Sequence, residues 1–122
     1  VYEVSLTEDV WAYKILTHGQ WLKTQGQAFV DLGENDIADG FVHLSFKNQV
    51  LGTVERYFSN VTELSLLRFP IEKLGNDLRI ETSRHNEDFP HYYGNLLVSL
   101  SDAHYLVPNN PILRETFLRG LA

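Results

Sequence analysis

Two histidines lie in stretches suited to presenting them. His43 sits in Asp39-Gly40-Phe41-Val42-His43-Leu44-Ser45, where Asp-Gly signals a turn and Phe41 to Leu44 is an aromatic and β-branched run of strand length. Strand side chains alternate, so Val42 and Leu44 share one face while Phe41, His43 and Ser45 share the other. With the Val/Leu face buried, an imidazole, a hydroxyl and an aromatic ring line whatever lies opposite. Ser45 then falls where a helix N-cap belongs, ahead of a helix predicted over Phe46 to Phe58, and free backbone N–H groups at a helix start attract anions.

His91 lies in Phe89-Pro90-His91-Tyr92-Tyr93-Gly94, which packs rigid aromatic surfaces and a titratable ring into one short run. Pro90 fixes the backbone and Gly94 permits close approach, so the stretch reads as an aromatic loop serving as lid or wall. An imidazole is the side chain suited to acid–base work near neutral pH. Glu81 ends the alternating Leu78-Arg79-Ile80-Glu81, with Leu78 and Ile80 inward and Arg79 and Glu81 outward.

Other chemistries find no support. No His-x-His or His-x-x-x-His pair is present, so no metal site is expected. There is no Gly-x-Ser-x-Gly elbow, glycine-rich phosphate loop or dinucleotide fingerprint. Asp31 to Asp39 is acidic but fails the calcium-loop template and reads as a solvated loop.

The elements that must position these residues follow from local patterns. Trp11 to Leu16 is a strand, and Thr17-His18-Gly19-Gln20 has the form of a capping box, with a short helix Gln20 to Thr24 stopping near Gly26. Phe29 and Val30 suggest a short strand. In the helix after Ser45, Phe46, Val50, Leu51, Val54, Tyr57 and Phe58 recur at helical spacing. Leu64 to Phe69 is a nearly continuous apolar strand, expected to be central, and Pro70 opens a helical turn over Ile71 to Leu74. Thr82 to Asp88 reads as polar loop, Leu96 to Leu100 and His104 to Val107 as strands, and Asn109-Asn110-Pro111 as the start of a helix over Ile112 to Leu118. Val1 to Asp9 reads as an arm with an edge strand at Tyr2 to Leu6. The order implies one α+β domain over 1–122, with helices against a largely antiparallel sheet.

Composition narrows the partners. A chain of 122 residues that is 43% hydrophobic can bury a real core. It has no cysteine, which excludes disulfides and thiolate chemistry. No run approaches the length of a membrane span, and the first ten residues lack the build of a signal peptide, so a cytoplasmic protein is expected. A formal charge of -6 argues against long nucleic acids, whereas a small anionic ligand needs only a few local cations.

Tyr13-Lys14-Ile15-Leu16-Thr17, Trp21, Asp39 to Ser45, Gln49, the strand ending at Glu81 and Phe89 to Gly94 together resemble an uncharacterised bacterial family, the domain of unknown function 952. The likeness runs from about residue 11 to 107, so the first ten and last fifteen residues look like additions to a common core. That family resembles, in fold, the ADP-ribosyltransferase-like proteins. The resemblance implies a split, mostly antiparallel sheet with helices packed on it and a cleft for NAD or a related nucleotide. Tyr13, Lys14 and Thr17 are similar to the strand and helix holding the nicotinamide end. Gly40 to Ser45, with Phe41, is similar to the segment walling that pocket. Within this picture Lys14, Arg79 or Arg84 would neutralise a pyrophosphate, and Tyr92 or Tyr93 would stack on a flat ring. His43 or His91 would position a ribose hydroxyl or exchange a proton. No glutamate stands in the third motif, so Glu81 is the carboxylate nominated for catalysis. Two other readings stay open: a non-catalytic module for a small anion or protein partner, and an enzyme resembling the RNA-end phosphotransferases.

Overall fold

The computed structural model describes residues 10–121, and the edge strand expected at Tyr2 to Leu6 lies outside them. Among the described residues six strands form two three-stranded antiparallel sheets. In the first, β3 (Leu64–Pro70) lies between β1 (Trp11–Thr17) and β6 (Ala103–Val107). In the second, β5 (Asp88–Tyr92) lies between β2 (Val42–His43) and β4 (Leu78–Thr82). Among the described residues one bridge joins them: Tyr13 N–H donates to Ser45 O at 2.8 Å, and Ser45 N–H returns the bond to Tyr13 O at 2.9 Å.

Both faces of the first sheet are covered, which is why β1 and β3 are apolar along most of their length instead of alternating. Ala12 and Leu16 of β1 pack with Val42, Leu44, Phe69, Ile71 and Tyr92. Tyr13 and Ile15, on the opposite face, pack with Val50 and Val54 of α3 (Val50–Tyr57) and Leu118 of α5 (Pro111–Arg119). Buried Arg114 pins α5 down by donating to the carbonyls of Pro108, Val61 and Thr62, each at 3.0 Å.

Several expectations match. The Thr17 capping box forms, with Thr17 N–H donating to Gln20 Oε1 at 2.9 Å and Gln20 N–H to Thr17 Oγ1 at 3.3 Å, and it opens α1 (His18–Gln25). Pro70 caps α4 (Ile71–Leu74), and Asn110 caps α5. β3 is central in its sheet, and Leu78 and Ile80 pack against the core.

Four expectations fail, each for a local reason. The acidic 31–39 stretch contains a helix, α2 (Glu34–Asp39). Its Gly33 N–H donates to Asp36 Oδ2 at 3.0 Å, and Gly40 closes it in the left-handed region at φ +80°. The Asp-Gly pair is therefore a helix stop as well as a turn. Secondly, α3 starts at Val50, not Phe46. The backbone of Ser45 is committed to the Tyr13 bridge, so it cannot cap a helix; Phe46 N–H instead donates to Gln49 Oε1 at 3.0 Å across an intervening turn. Thirdly, Phe89 to Tyr92 is no loop but most of the central strand β5. Leu44 N–H donates to Pro90 O at 3.1 Å, and the return bond would need the N–H that proline lacks, which accounts for β2 ending at His43. Finally, Leu96 to Leu100 is not a strand: Phe29 and Leu97 form an isolated bridge, and Val98–Leu100 coils into a 3-10 turn.

Candidate functional site

The face of the second sheet that bears Phe41, His43, Ser45, Phe89, His91 and Glu81 opens into a cleft of about 670 Å³, bounded by α2 on one side and α3 on the other. That volume is within the usual range for a small-molecule site. His43, His91 and Arg79 form one row across the strands, since His43 pairs with His91 and Arg79 with His91. The two imidazole rings meet edge to face at 5.7 Å, and Phe41 stacks on His91 at 4.0 Å.

Asp36 anchors one end. It is 2% exposed and takes Lys14 Nζ at 2.8 Å and Gly33 N–H at 3.0 Å on one oxygen. Its other oxygen takes His43 N–H at 2.9 Å and meets His43 Nδ1 at 2.7 Å. Burial alone would raise its pKa, but the His43 hydrogen bond and the Lys14 charge outweigh it and hold the carboxyl far below the usual carboxylate range. Nε2 of His43 meets Asp39 at 2.9 Å, so both of its ring nitrogens are engaged.

His91 is arranged differently. Its Nδ1 meets Glu81 Oε1 at 2.8 Å, and the same oxygen accepts the Tyr93 hydroxyl at 2.7 Å. The His91 bond, then the Tyr93 bond, lower the pKa of Glu81, while that carboxylate raises the Tyr93 phenol. Among the described residues no hydrogen bond engages Nε2 of His91, whose side chain lines the cleft.

Arg84 forms the opposite end. The β4–β5 hairpin turns through His85 and Asn86 at φ 58° and 59°, a left-handed backbone that is uncommon for histidine. This turn brings the Arg84 guanidinium over the rings of Phe89 at 4.8 Å and Tyr57 at 5.3 Å. Nη2 donates to Thr53 Oγ1 at 3.0 Å, and Thr53 meets Ser45 Oγ at 3.3 Å. The guanidinium makes no ion pair among the described residues.

The structure thus brings Tyr13, Lys14, His43, Ser45, Arg84 and His91 to one cleft. Other nominated residues stand apart from its lining. Tyr92 points to the opposite face and packs in the core, so it offers no stacking surface there. The Thr17 hydroxyl is spent capping α1. Arg79 lies over the Tyr93 ring at 4.5 Å, and Glu81 stands behind His91. Phe41 buttresses His91. Lys14 is neutralised by Asp36, so it is not the spare cation it resembled. Asp36 itself escaped the sequence reading. The available signal was the pair Gly33 and Gly40 bracketing a helix-length segment, which places Asp36 at the third helical position.

The family and the fold are shared with known proteins. Residues 15–100 match the family model described as protein of unknown function, DUF952, and the chain belongs to that family. Protein CC0527 from Caulobacter crescentus, in its crystal structure, is 36% identical with a TM-score of 0.78, the match covering 83% of this chain and 89% of that one. Its solution NMR structure gives 35% identity and a TM-score of 0.74, covering 84% and 88%. Among curated proteins none matches. The class is therefore α+β with antiparallel sheets, shared with an uncharacterised bacterial protein. Among the described residues no helix is long and apolar enough to cross a membrane.

Proposed function

We propose that the cleft binds a nucleotide of the NAD or ADP-ribose type and acts on it, by ADP-ribosyl transfer or by processing of the nucleotide. One observation carries the reading: a half-buried guanidinium, clasped between two aromatic rings and lacking a carboxylate partner among the described residues, faces a cleft of nucleotide size. A half-buried cation with no carboxylate partner among the described residues favours an anionic guest, and arginine suits phosphate geometry. Arg84 is the pyrophosphate residue in this reading, because Lys14 is occupied by Asp36 and Arg79 lies outside the lining. At the other end the exposed carboxylates of Glu34 and Asp39 flank the buried Asp36–Lys14 pair, an acidic rim that suits the cationic nicotinamide ring. The resemblance of Tyr13 to Thr17 and of Gly40 to Ser45, in sequence, to segments of the ADP-ribosyltransferase-like proteins points the same way.

Calorimetric titration with NAD, ADP-ribose and nucleoside phosphates tests it. Binding is expected in the wild type and at least tenfold weaker in Arg84→Ala, since a charged hydrogen bond is worth about 1.5–3 kcal/mol. No heat with any of them overturns the reading. A second reading, a non-catalytic module for a small anion, draws on Glu81, which is not part of the cleft lining and already accepts two hydrogen bonds. Binding without turnover of any bound nucleotide selects that reading.

A further inference from the structure

We propose that the hollow between α3 and the β4–β5 turn binds a phosphate monoester of a polyhydroxy compound, the chemistry of a sugar phosphate, at a site outside the cleft. The proposal is independent of the nucleotide reading, since Arg56 and His85 line this hollow and not the cleft.

The hollow holds about 410 Å³, within the range of small-molecule sites, and Arg56, Arg84 and His85 bring cationic and N–H groups to it. Among the described residues neither arginine makes an ion pair. Both instead lie over the Tyr57 ring, Arg84 at 5.3 Å and Arg56 at 5.7 Å. Two like charges brought to one ring attract a phosphate dianion more strongly than either would alone. Nη1 of Arg56 meets Nε2 of His85 at 3.3 Å. A guanidinium can only donate, so Nε2 accepts and Nδ1 carries the proton of the neutral ring. That N–H is a further donor, and no hydrogen bond engages it among the described residues.

The backbone around the hollow is built at a local cost. Gly52 stands inside α3, where glycine is among the poorest helix formers, yet a Cβ added there would meet nothing within 4 Å. Alanine would fit and would hold the helix better; what the glycine keeps is open floor in the hollow. His85 lines the hollow from a left-handed backbone at φ 58°, a strained conformation of the kind found at ligand clamps.

Glu55 and Glu87 line the same hollow and are exposed. Carboxylates repel a bare anion but accept hydroxyl hydrogens, so they select a guest that carries hydroxyl groups beside its phosphate. Charge of both signs in one small hollow therefore favours a sugar phosphate over inorganic phosphate.

Calorimetric titration of the full chain at constant ionic strength with glucose 6-phosphate, glycerol 3-phosphate, inorganic phosphate and glucose tests the site. At least one ester is expected to bind tenfold or more tightly than inorganic phosphate, and glucose to give no heat. Arg56→Ala should weaken the ester at least tenfold, as loss of a charge-assisted hydrogen bond does, while nucleotide affinity stays within about threefold. Gly52→Leu fills the floor with every charge intact; it should abolish ester binding and leave the melting temperature equal or higher. Bound ester should also neutralise the guanidiniums over Tyr57 and move its phenol toward 10.0 in an ultraviolet titration. No heat with either ester, or ester binding unchanged in Arg56→Ala or Gly52→Leu, overturns the inference and leaves the nucleotide reading standing. Inorganic phosphate bound as tightly as the esters overturns the assignment of hydroxyl groups to Glu55 and Glu87. Ester binding without any nucleotide binding upholds the inference and overturns the nucleotide reading alone.

Discussion

His43 and His91 are paired across β2 and β5, and each meets a carboxylate through Nδ1, but the two carboxylates sit in different surroundings. The partner of His43 is Asp36, whose side chain is 1% exposed and also carries the buried Lys14. The partner of His91 is Glu81, whose side chain is 36% exposed. In the first pair the deep, saturated group is the carboxylate, and its loss would strand a buried ammonium. In the second pair the deep group is the imidazole. Similar hydrogen-bond lengths therefore describe a structural clamp in one case and an oriented ring at the cleft in the other.

The sharpest way to break this comparison is to remove each carboxylate. Asp36→Ala leaves Lys14 uncompensated and should cost about 3–5 kcal/mol, the range for breaking a buried pair from one side. Glu81→Ala should cost about 1 kcal/mol or less, as for exposed ion pairs. Urea denaturation of both variants measures the difference, and equal losses would end the distinction.

Acidification approaches the same point without mutation. Asp36 has a folded-state pKa well below the ordinary aspartate value of 3.8, so its contribution is fully present above that value and is lost as pH falls through the folded one. The stability gap between wild type and Asp36→Asn should therefore be largest near neutrality and shrink below about pH 4, where the unfolded carboxylate protonates. A gap that grows on acidification would contradict the clamp.

How far the sequence reveals these arrangements depends on whether the signal is local. The Thr17 capping box, the apolar β3 and the alternation of Leu78 to Glu81 are set by neighbours in the chain, and each appears where the pattern puts it. The α+β class follows from the same patterns. The aromatic run at His91 misled because proline and glycine suggest a loop, whereas β5 tolerates Pro90 where β2 ends. Asp36 was hidden for a related reason: an acidic stretch reads as solvated unless the lysine it neutralises, 22 residues earlier, is known to face it. Likewise, that Arg84 lacks an acid among the described residues while Lys14 has one is a property of the folded cleft, and no spacing rule separates the two.

Arg84 offers a gentler measurement on the other end of the cleft. The Tyr57 phenol is lowered from the ordinary tyrosine value of 10.0 by hydrogen bonding to Arg84 first and Arg56 second. Arg84→Ala should move the ionisation of Tyr57 back toward 10.0 with little change in fold, as read by ultraviolet titration against a Tyr57→Phe control. An unchanged titration would place the guanidinium elsewhere in solution and remove the basis for an anion site.

The smallest effect expected is at Tyr93, and it bears on how the second histidine is held. Tyr93 donates to the same Glu81 oxygen that meets His91, so the oxygen is shared and the phenol competes for its charge. Tyr93→Phe removes the second-largest influence lowering Glu81, whose pKa should rise toward 4.5 yet stay below it because the His91 bond remains. Carbon-detected NMR titration of the Glu81 carboxyl reads this directly. If Tyr93 positions the dyad, the same substitution should also weaken, without abolishing, the orientation of the His91 ring, seen as a larger spread of its NMR order parameters. No change in either quantity would mean that Glu81 alone fixes the imidazole, and the phenol would then belong with Arg79, whose guanidinium it already stacks against at 4.5 Å.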